Sequence, residues 1–208
     1  MADYLPQLFL AWSIQFMGVM SPGPGVALIL GVATGQGRLP AIITALGVAS
    51  ASGILAVATV LGLAAIFATM AELMTVVRFV GAGYLLWLAY KAFRKAASPP
   101  PLDVREARFG TLRRTWLTGF ALQLSNPKAI FFWLAIASVG GVGDAQLPIV
   151  ALFVAGAMVI SFVGHGAYAL LLSSAPVRRV YARFRGRIEA ALGCFFLFAG
   201  YKLATARM

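Results

Sequence analysis

Residues 21 to 25, Ser21-Pro22-Gly23-Pro24-Gly25, interrupt one of the most hydrophobic regions of the chain. Apolar residues dominate on both sides, from Leu8 to Met20 and from Val26 to Ala33. In the hydrocarbon of a membrane every backbone N–H and C=O needs a partner within the protein, so an unwound segment is stable only against other helices or a wet cavity. We therefore interpret this stretch as a break inside a membrane-spanning helix.

A second break, Ser125-Asn126-Pro127-Lys128, begins 104 positions after Ser21 in a chain of 208 residues. Ser and Asn favour the N-cap of a helix and Pro favours its first turn, so Ser21-Pro22 and Asn126-Pro127 both resemble helix starts. Each start directs free N–H groups and a positive dipole end into the interior, where they suit a carboxylate. The unwound carbonyls before each break suit an ammonium group. The pair therefore predicts a zwitterion site, and packing kinks without a ligand are the alternative.

The composition is that of a polytopic helical membrane protein. The chain is 61% hydrophobic and 11% charged, with a mean hydropathy of +0.89, and these values exclude an ordinary soluble domain. The N-terminus lacks the basic region of a cleaved signal peptide. A single cysteine, Cys194, excludes an internal disulfide and a cysteine-based metal cluster. We expect one membrane domain over residues 1–208.

Six spans of membrane length can be drawn, and the first and fourth contain the breaks. They cover about 6–33, 41–68, 74–94, 115–138, 147–172 and 188–206. Repeat one then covers about 1–96, a solvated cytoplasmic linker about 96–114, and repeat two about 115–208. Because each repeat has three spans, the second is inverted relative to the first, as in many secondary transporters.

The positive charges are concentrated in alternate connections. Thirteen of the 17 Lys and Arg residues lie in or beside the connections between spans 1–2, 3–4 and 5–6: Arg38; Lys91, Arg94, Lys95, Arg105, Arg108, Arg113 and Arg114; and Arg178, Arg179, Arg183, Arg185 and Arg187. This is the positive-inside pattern, so we predict that these loops are cytoplasmic and that both termini lie outside. The pattern also accounts for the net charge of +11 without nucleic-acid binding.

Lys128 and His165 are the polar residues whose predicted positions most need explanation. Lysine at the centre of a spanning helix costs about 2.5–3.5 kcal/mol. Lys128 could pair with a substrate carboxylate or carry a proton. Alternatively, it could bond the carbonyls freed by the other break or snorkel to the interface. His165, the only histidine, could couple transport to protons or be a packed helix residue. Neutral groups that could line the path, or bond between helices, are Gln15, Gln123, Thr44, Ser50, Ser52, Ser161 and Tyr168.

The carboxylates are expected to avoid the middle of the membrane. All six, Asp3, Glu72, Asp103, Glu106, Asp144 and Glu189, fall at the ends of the predicted spans or in connections. A strongly cationic substrate would then lack a counter-charge.

Several motifs resemble the LysE/RhtB family of bacterial amino-acid exporters over nearly the whole chain. They are Ser21-Pro22-Gly23-Pro24, Gly37-Arg38, Ala45-Leu46-Gly47, the run from Gly81 to Ala92, and the run from Gly119-Phe120 through Asn126-Pro127-Lys128-Ala129. The resemblance implies export of amino acids across the bacterial inner membrane, driven by the proton gradient. The candidate residues for substrate binding or gating are those of the two breaks and polar groups near them: Ser21, Pro22, Gly23, Pro24, Ser52, Gln123, Ser125, Asn126, Pro127 and Lys128.

Two positions depart from the family pattern. The family commonly has Asn after Ser-Pro-Gly-Pro, where this chain has Gly25, and many members have Asp in the second span, where alignment on Ala45-Leu46-Gly47 gives Ser52. These departures favour a neutral substrate of the homoserine, threonine or cysteine kind over lysine or arginine.

Other function classes have weaker sequence support. Ser21 and His165 would be needed for an intramembrane hydrolase, but no hydrolase motif accompanies them, so we expect no enzyme activity and no cofactor or metal. A metal-cation exporter of the wider superfamily would need more ligands than one His and one Cys in different spans. A non-transporting membrane assembly protein remains an alternative, and the glycine-rich faces leave a homodimer open.

Overall fold

The chain folds into α-helices connected by short segments. The computed structural model describes residues 4–21, 23–69, 71–99, 107–139 and 145–205, and those ranges contain eight helices and no strand. The helices are α1 (Leu5–Met20), α2 (Pro24–Gly35), α3 (Arg38–Thr69), α4 (Ala71–Ala97), α5 (Leu112–Ser125), α6 (Pro127–Val139), α7 (Leu147–Leu171) and α8 (Ala175–Thr205). The all-α class is confirmed.

Four of these helices are long and apolar enough to cross a membrane. They are α3, α4, α7 and α8, and the pair α1–α2, bent by 50°, makes a fifth candidate span. The predicted fourth span corresponds to α5 and α6, of which Pro127–Ile136 qualifies as a shorter apolar helix. The chain is therefore a multi-pass membrane protein with four or five candidate spans among the described residues.

The first break differs by two residues from the predicted one. Ser21 is the C-cap of α1 rather than the N-cap of the next helix, and α2 begins at Pro24 with Gly23 as its N-cap. A residue before proline is disfavoured in the helical region, and Gly23 is accordingly extended, with φ −150° and ψ −168°. The helix can therefore start only at the second proline. Pro22 lies outside the described residues.

The second break follows the sequence prediction. α6 begins at Pro127, and Asn126 is extended with φ −77° and ψ 109°. The Asn126 Oδ1 atom accepts a hydrogen bond from the Lys128 backbone N–H at 3.0 Å, which is the N-cap interaction that the residue types favour. The predicted helix start at Asn126-Pro127 is confirmed.

The last helix begins earlier than the predicted span. α8 starts at Ala175, not near residue 188. Pro176 lies in its first turn, where a missing N–H breaks no helical hydrogen bond, and arginine is a good helix former. The basic residues from Arg178 to Arg187 consequently form the first half of a 31-residue helix instead of a loop.

The long helices pack in a pattern that brings the two breaks together. α4 packs along α8 and against α6, while α3 packs against both α5 and α7. α3 and α5 approach so closely that a Cβ at Gly47 would collide with the Trp116 carbonyl oxygen, and one at Gly119 would collide with the Thr44 carbonyl oxygen. Small residues permit such backbone contact between membrane helices. α1 contacts α6, and α2 contacts α5. Both helices of the first broken pair therefore contact the second broken pair.

Apolar side chains fill the interior and also cover much of the outside. One buried cluster joins α1, α3, α4, α6, α7 and α8, and a smaller one joins α2, α3 and α7. Large apolar residues such as Phe9, Leu61, Leu147 and Tyr201 are more than 60% exposed. Outward-facing apolar residues on this scale fit a lipid environment.

Three connections with basic residues in or beside them meet at one end of the molecule. The Arg38 Nε atom, beside the α2–α3 turn, donates to Ser173 Oγ in the α7–α8 turn at 3.0 Å. The segment before α5 joins them, because the Phe109 N–H donates to Gln36 Oε1 and the Ala107 N–H to the Gly31 carbonyl, both at 3.0 Å. The predicted linker therefore packs onto the end of α2 in its described part.

A polar cavity between the two helix breaks

A small cavity lies where the two breaks meet. Its volume is about 60 Å³, which is room for a few water molecules. Side chains and backbone from six of the helices and both breaks line it: Gln15, Gly18, Val19, Ser21, Gly23, Pro24, Gly25, Val26, Ser52, Gln123, Asn126, Lys128, Ala129, Phe132, Trp133 and His165. We refer to this as the central cavity.

The ammonium group of Lys128 joins the second break to the first. The Lys128 Nζ atom donates to the Ser21 carbonyl oxygen at 2.9 Å and to the Gly18 carbonyl oxygen at 3.4 Å. Both carbonyls lie at the end of α1, where the helix stops and its last C=O groups lose their helical partners. Of the roles open to Lys128 from sequence, the structure shows the bond to the other break's carbonyls. The lysine thus occupies the place that the sequence suggested for a substrate ammonium group.

Tyrosine hydroxyls bond the backbone around both breaks. The Tyr168 hydroxyl on α7 donates to the Met20 carbonyl oxygen at 2.7 Å, and the Tyr84 hydroxyl on α4 donates to the Lys128 carbonyl oxygen at 3.0 Å. Each bond ties a broken helix to a long one. The breaks are therefore held by protein partners, as an interruption at membrane depth requires.

A chain of polar side chains runs along one wall of the central cavity. Gln123 Nε2 donates to Ser52 Oγ at 3.1 Å, and Ser52 Oγ lies 3.1 Å from Ser161 Oγ. Ser161 Oγ is in turn 3.3 Å from His165 Nδ1. The chain crosses from α5 through α3 to α7, and all four residues are buried. Through these uncharged groups it connects the second break to His165, the only histidine in the sequence.

The geometry around His165 fixes which ring nitrogen carries the proton in the neutral form. His165 Nδ1 lies 2.9 Å from the Ser161 carbonyl oxygen, which can only accept, so Nδ1 is the N–H donor. Nε2 is then the nitrogen that can gain a proton. A Cβ at Gly25 would lie 3.6 Å from this Nε2 atom, so the imidazole faces the N-terminus of α2 where Gly25 and Val26 line the cavity.

Most of the predicted site residues that the structure describes come together, and two do not. Those around the central cavity are Ser21, Gly23, Pro24, Ser52, Gln123, Asn126, Lys128 and His165. Ser125 is exposed, and its hydroxyl donates to carbonyls of its own helix, Ala121 and Leu122. Pro127 lines a neighbouring cavity instead, and Pro22 is outside the described residues. Thr44 and Ser50 also bond carbonyls of their own helix.

The expectation that every carboxylate lies at the end of a span or in a connection is wrong for Glu189. This residue lies in the middle of α8 and is wholly buried. It was missed because the sixth span was drawn to start beside it. A helical face of buried residues, with Arg185, Glu189, Leu192, Phe196 and Leu203 three to seven positions apart, was the signal that could have found it. Among the described residues, no three His, Cys, Asp or Glu side chains group to hold a metal ion.

Comparison with known proteins gives a consistent result. The family model described as LysE type translocator matches residues 16–207. The threonine efflux protein of Escherichia coli K12 is 30% identical, covering 93% of this chain and 95% of its own length. The membrane protein YahN of the same strain is 26% identical over 99% of this chain and 94% of its own. The leucine efflux protein of Klebsiella pneumoniae is 26% identical, covering 90% and 89%. No solved structure shows a significant match.

Proposed function

The chain belongs to the LysE family of translocators, and from this premise we propose that it exports amino acids by binding them as zwitterions between the two helix breaks. Relatives named as threonine and leucine efflux proteins support amino acids as the cargo. The observation that carries the proposal is the contact of the Lys128 ammonium with the carbonyls of Ser21 and Gly18. It identifies an ammonium-binding position beside the N-terminus of α2.

The proposed binding step is an exchange of ammonium groups. The substrate ammonium takes the place of Lys128 Nζ at the Ser21 and Gly18 carbonyls. The released Lys128 then pairs with the substrate carboxylate, which also faces the N–H groups at the start of α2. A molecule that lacks either charged group cannot complete the exchange. Because the central cavity holds only about 60 Å³, the two breaks must separate to admit the substrate.

The transport step is alternating access between two inverted repeats. Helix contacts support this arrangement. If the repeats are equivalent, α1 corresponds to α5, α2 to α6 and α3 to α7, so the α1–α6 contact should have an α5–α2 counterpart and the α2–α7 contact an α6–α3 counterpart. All four contacts occur. The tryptophans Trp12 and Trp116 are also 104 positions apart, like Ser21 and Ser125. One repeat would rock against the other around the central cavity.

The substrate proposed is a neutral, small or polar amino acid. Ser52 takes part in the polar wall of the cavity, where the family resemblance leads us to expect an Asp in many members. None of the described residues lining the central cavity is a carboxylate, so a second positive charge on the substrate would meet no counter-charge there. Glu189 lies outside this lining and leaves the argument unchanged.

Proton coupling is proposed through His165 or Lys128. His165 Nε2 faces the cavity at the start of α2, and the polar chain through Ser161, Ser52 and Gln123 links the imidazole to the second break. A proton on Nε2 would compete with a substrate ammonium group for the cavity by charge repulsion. Inward proton flow would in this way favour release of the exported amino acid.

The proposed location is the bacterial inner membrane, with the basic connections in the cytoplasm. Arg38, the segment before α5 and the α7–α8 turn meet at one end of the molecule, so one orientation satisfies the positive-inside rule for all three. Both termini would then lie outside.

The test is efflux of radiolabelled amino acids from cells that overexpress the chain, compared with cells carrying the empty vector. We expect faster efflux of threonine, homoserine or cysteine than of lysine or arginine. Preferential export of lysine or arginine would refute the substrate class. Absence of efflux for every amino acid, with the protein present in the membrane, would refute the proposed function itself.

A further inference from the structure

A second cavity lies beside the central one, on the side of α4 and α8. Its volume is about 330 Å³, which is within the range of small-molecule sites. It shares Ser21, Gly23, Pro24 and Lys128 with the central cavity. Its other lining residues include Tyr84, Trp87, Lys91, Lys95 and Glu189. We refer to it as the vestibule.

The carboxylate of Glu189 is the feature of the vestibule that most needs explanation. Glu189 is 0% exposed, and neither of its oxygens accepts a hydrogen bond from any described residue. Its ion-pair partner, Lys95 Nζ, is 3.6 Å from Oε1, which is longer than a charge-assisted hydrogen bond of about 2.7–2.9 Å. A buried carboxylate without hydrogen bonds costs several kcal/mol. Donors supplied by a ligand would offset that cost.

The charges around the vestibule match a zwitterion better than a simple ion. Three ammonium groups, those of Lys91, Lys95 and Lys128, and one carboxylate line it. Lys91 Nζ lies 4.2 Å from the centre of the Trp87 ring, and this cation–π contact holds it at the cavity wall. A cation alone would meet three positive charges, and an anion alone would leave Glu189 without donors.

The vestibule also leads from the basic end of the molecule toward the breaks. Lys91 and Lys95 lie in the last two turns of α4, next to the basic connection, whereas Tyr84 bonds the carbonyl of Lys128 at the second break. A ligand in the vestibule would therefore lie beside Lys128, the residue that must leave the Ser21 carbonyl before the central cavity can accept a substrate.

We propose that the vestibule is a first binding station for the amino acid, with Glu189 receiving its α-ammonium group in place of Lys95 and Lys91 attracting its carboxylate. This inference rests on the proposed function, since it gives the exported amino acid a second site on the cytoplasmic route to the breaks. The vestibule holds the amino acid while the central cavity is closed, and Lys128 is common to both.

The test measures binding and transport separately. Equilibrium binding of radiolabelled threonine to detergent-purified protein, and its uptake in proteoliposomes, are compared for wild type, Glu189→Gln, Lys95→Met and the double variant. Glu72→Gln, at the opposite end of α4 from Lys95, is the matched carboxylate control. If Glu189 binds the ligand ammonium, Glu189→Gln weakens binding and raises KM by about tenfold, close to 1.4 kcal/mol. The double variant should show the same loss of affinity as Glu189→Gln. Lys95→Met keeps its affinity because the ligand replaces the lost partner.

Three results would overturn the proposal, and they separate it from the proposed function. A double variant restored to wild-type affinity would mean that Glu189 serves only its ion pair with Lys95. Wild-type binding and transport in Glu189→Gln would exclude a ligand contact, while export itself would stand. A wild-type protein that neither binds nor transports threonine or any other amino acid would overturn both proposals together.

Discussion

Lys128 is the residue on which the interpretation of the breaks depends. It stands one position after Pro127, and its ammonium reaches across to the carbonyls at the end of α1. Sequence alone predicted that a lysine in this position needs a partner, because its charge is costly within a membrane. Which partner it takes depends on how α1 and α6 are placed against each other, and a sequence does not give that placement.

Removing the Lys128 charge should abolish export. In Lys128→Met the substrate carboxylate loses its counter-charge, so we expect the efflux rate to fall by about two orders of magnitude, as for a group essential to the step. The protein should still insert, because methionine is apolar. Radiolabelled efflux and an immunoblot of membranes measure the two properties. Lys202→Met, on an exposed turn of α8, is the control, and full efflux by Lys128→Met would make the lysine structural.

Ser52 should set the charge of the accepted side chain. In Ser52→Asp a carboxylate would join the polar wall beside Gln123 and Ser161 and supply the missing counter-charge. We expect export of lysine relative to threonine to rise by about tenfold, since a close charge pair easily contributes 1.4 kcal/mol. Competition between the two labelled amino acids measures the ratio. Ser52→Asn introduces a side chain of the same size as Asp but without its charge. An equal gain in the lysine-to-threonine ratio in that variant would contradict the electrostatic explanation.

At the scale of the helix, proline geometry explains where each break falls. The presence of both breaks could be predicted from residue types, and the start of α6 at Pro127 was predicted correctly. The start of α2 shifted to Pro24 because two prolines compete for the first turn and Gly23 must stay extended before the second. The start of α8 was missed because its basic first half resembles a loop when only hydropathy is considered.

The Asn126 cap should contribute measurably to stability. Asn126→Ala leaves the Lys128 N–H without its 3.0 Å acceptor, which costs about 1 kcal/mol and should lower Tm by roughly 2–4 °C. Thermal unfolding of the purified protein in detergent measures this. Asn126→Ser keeps an oxygen acceptor at the N-cap and should recover most of the loss. An equal loss in both variants would show that capping is not the cause.

At the scale of the whole molecule, the sequence predicts the packing of the helices less precisely than it predicts the positions of the breaks. The half-length spacing of the breaks indicated two repeats, and the described helix contacts are compatible with exchanging them. The burial of Glu189 and the close approach of α3 to α5 at Gly47 depend on which helix faces which. Periodicity can mark the buried face of one helix, as it does around Glu189, but the helix that this face packs against has no local sequence signal.

The basic end of the molecule should open during transport. Arg38 and Ser173 hold two basic connections together at 3.0 Å, so linking them should trap one state. We expect Arg38→Cys/Ser173→Cys, with Cys194→Ser as background, to lose export when treated with a short bifunctional thiol reagent and to regain it on reduction. The single-cysteine variants, treated in the same way, are the control. Undiminished transport by fully cross-linked protein would contradict alternating access at this end.

The most direct test of the central claim is counterflow of radiolabelled threonine in proteoliposomes, with unlabelled analogues as competitors. Threonine, threoninamide and 3-hydroxybutyrate differ in which charged group they retain. If the breaks bind a zwitterion by exchange with Lys128, unlabelled threonine competes strongly. The inhibition constants of both analogues should then be higher than that of threonine by about tenfold or more. Equal competition by the amide or by the hydroxy acid would show that one charge is enough, and would contradict the zwitterion site.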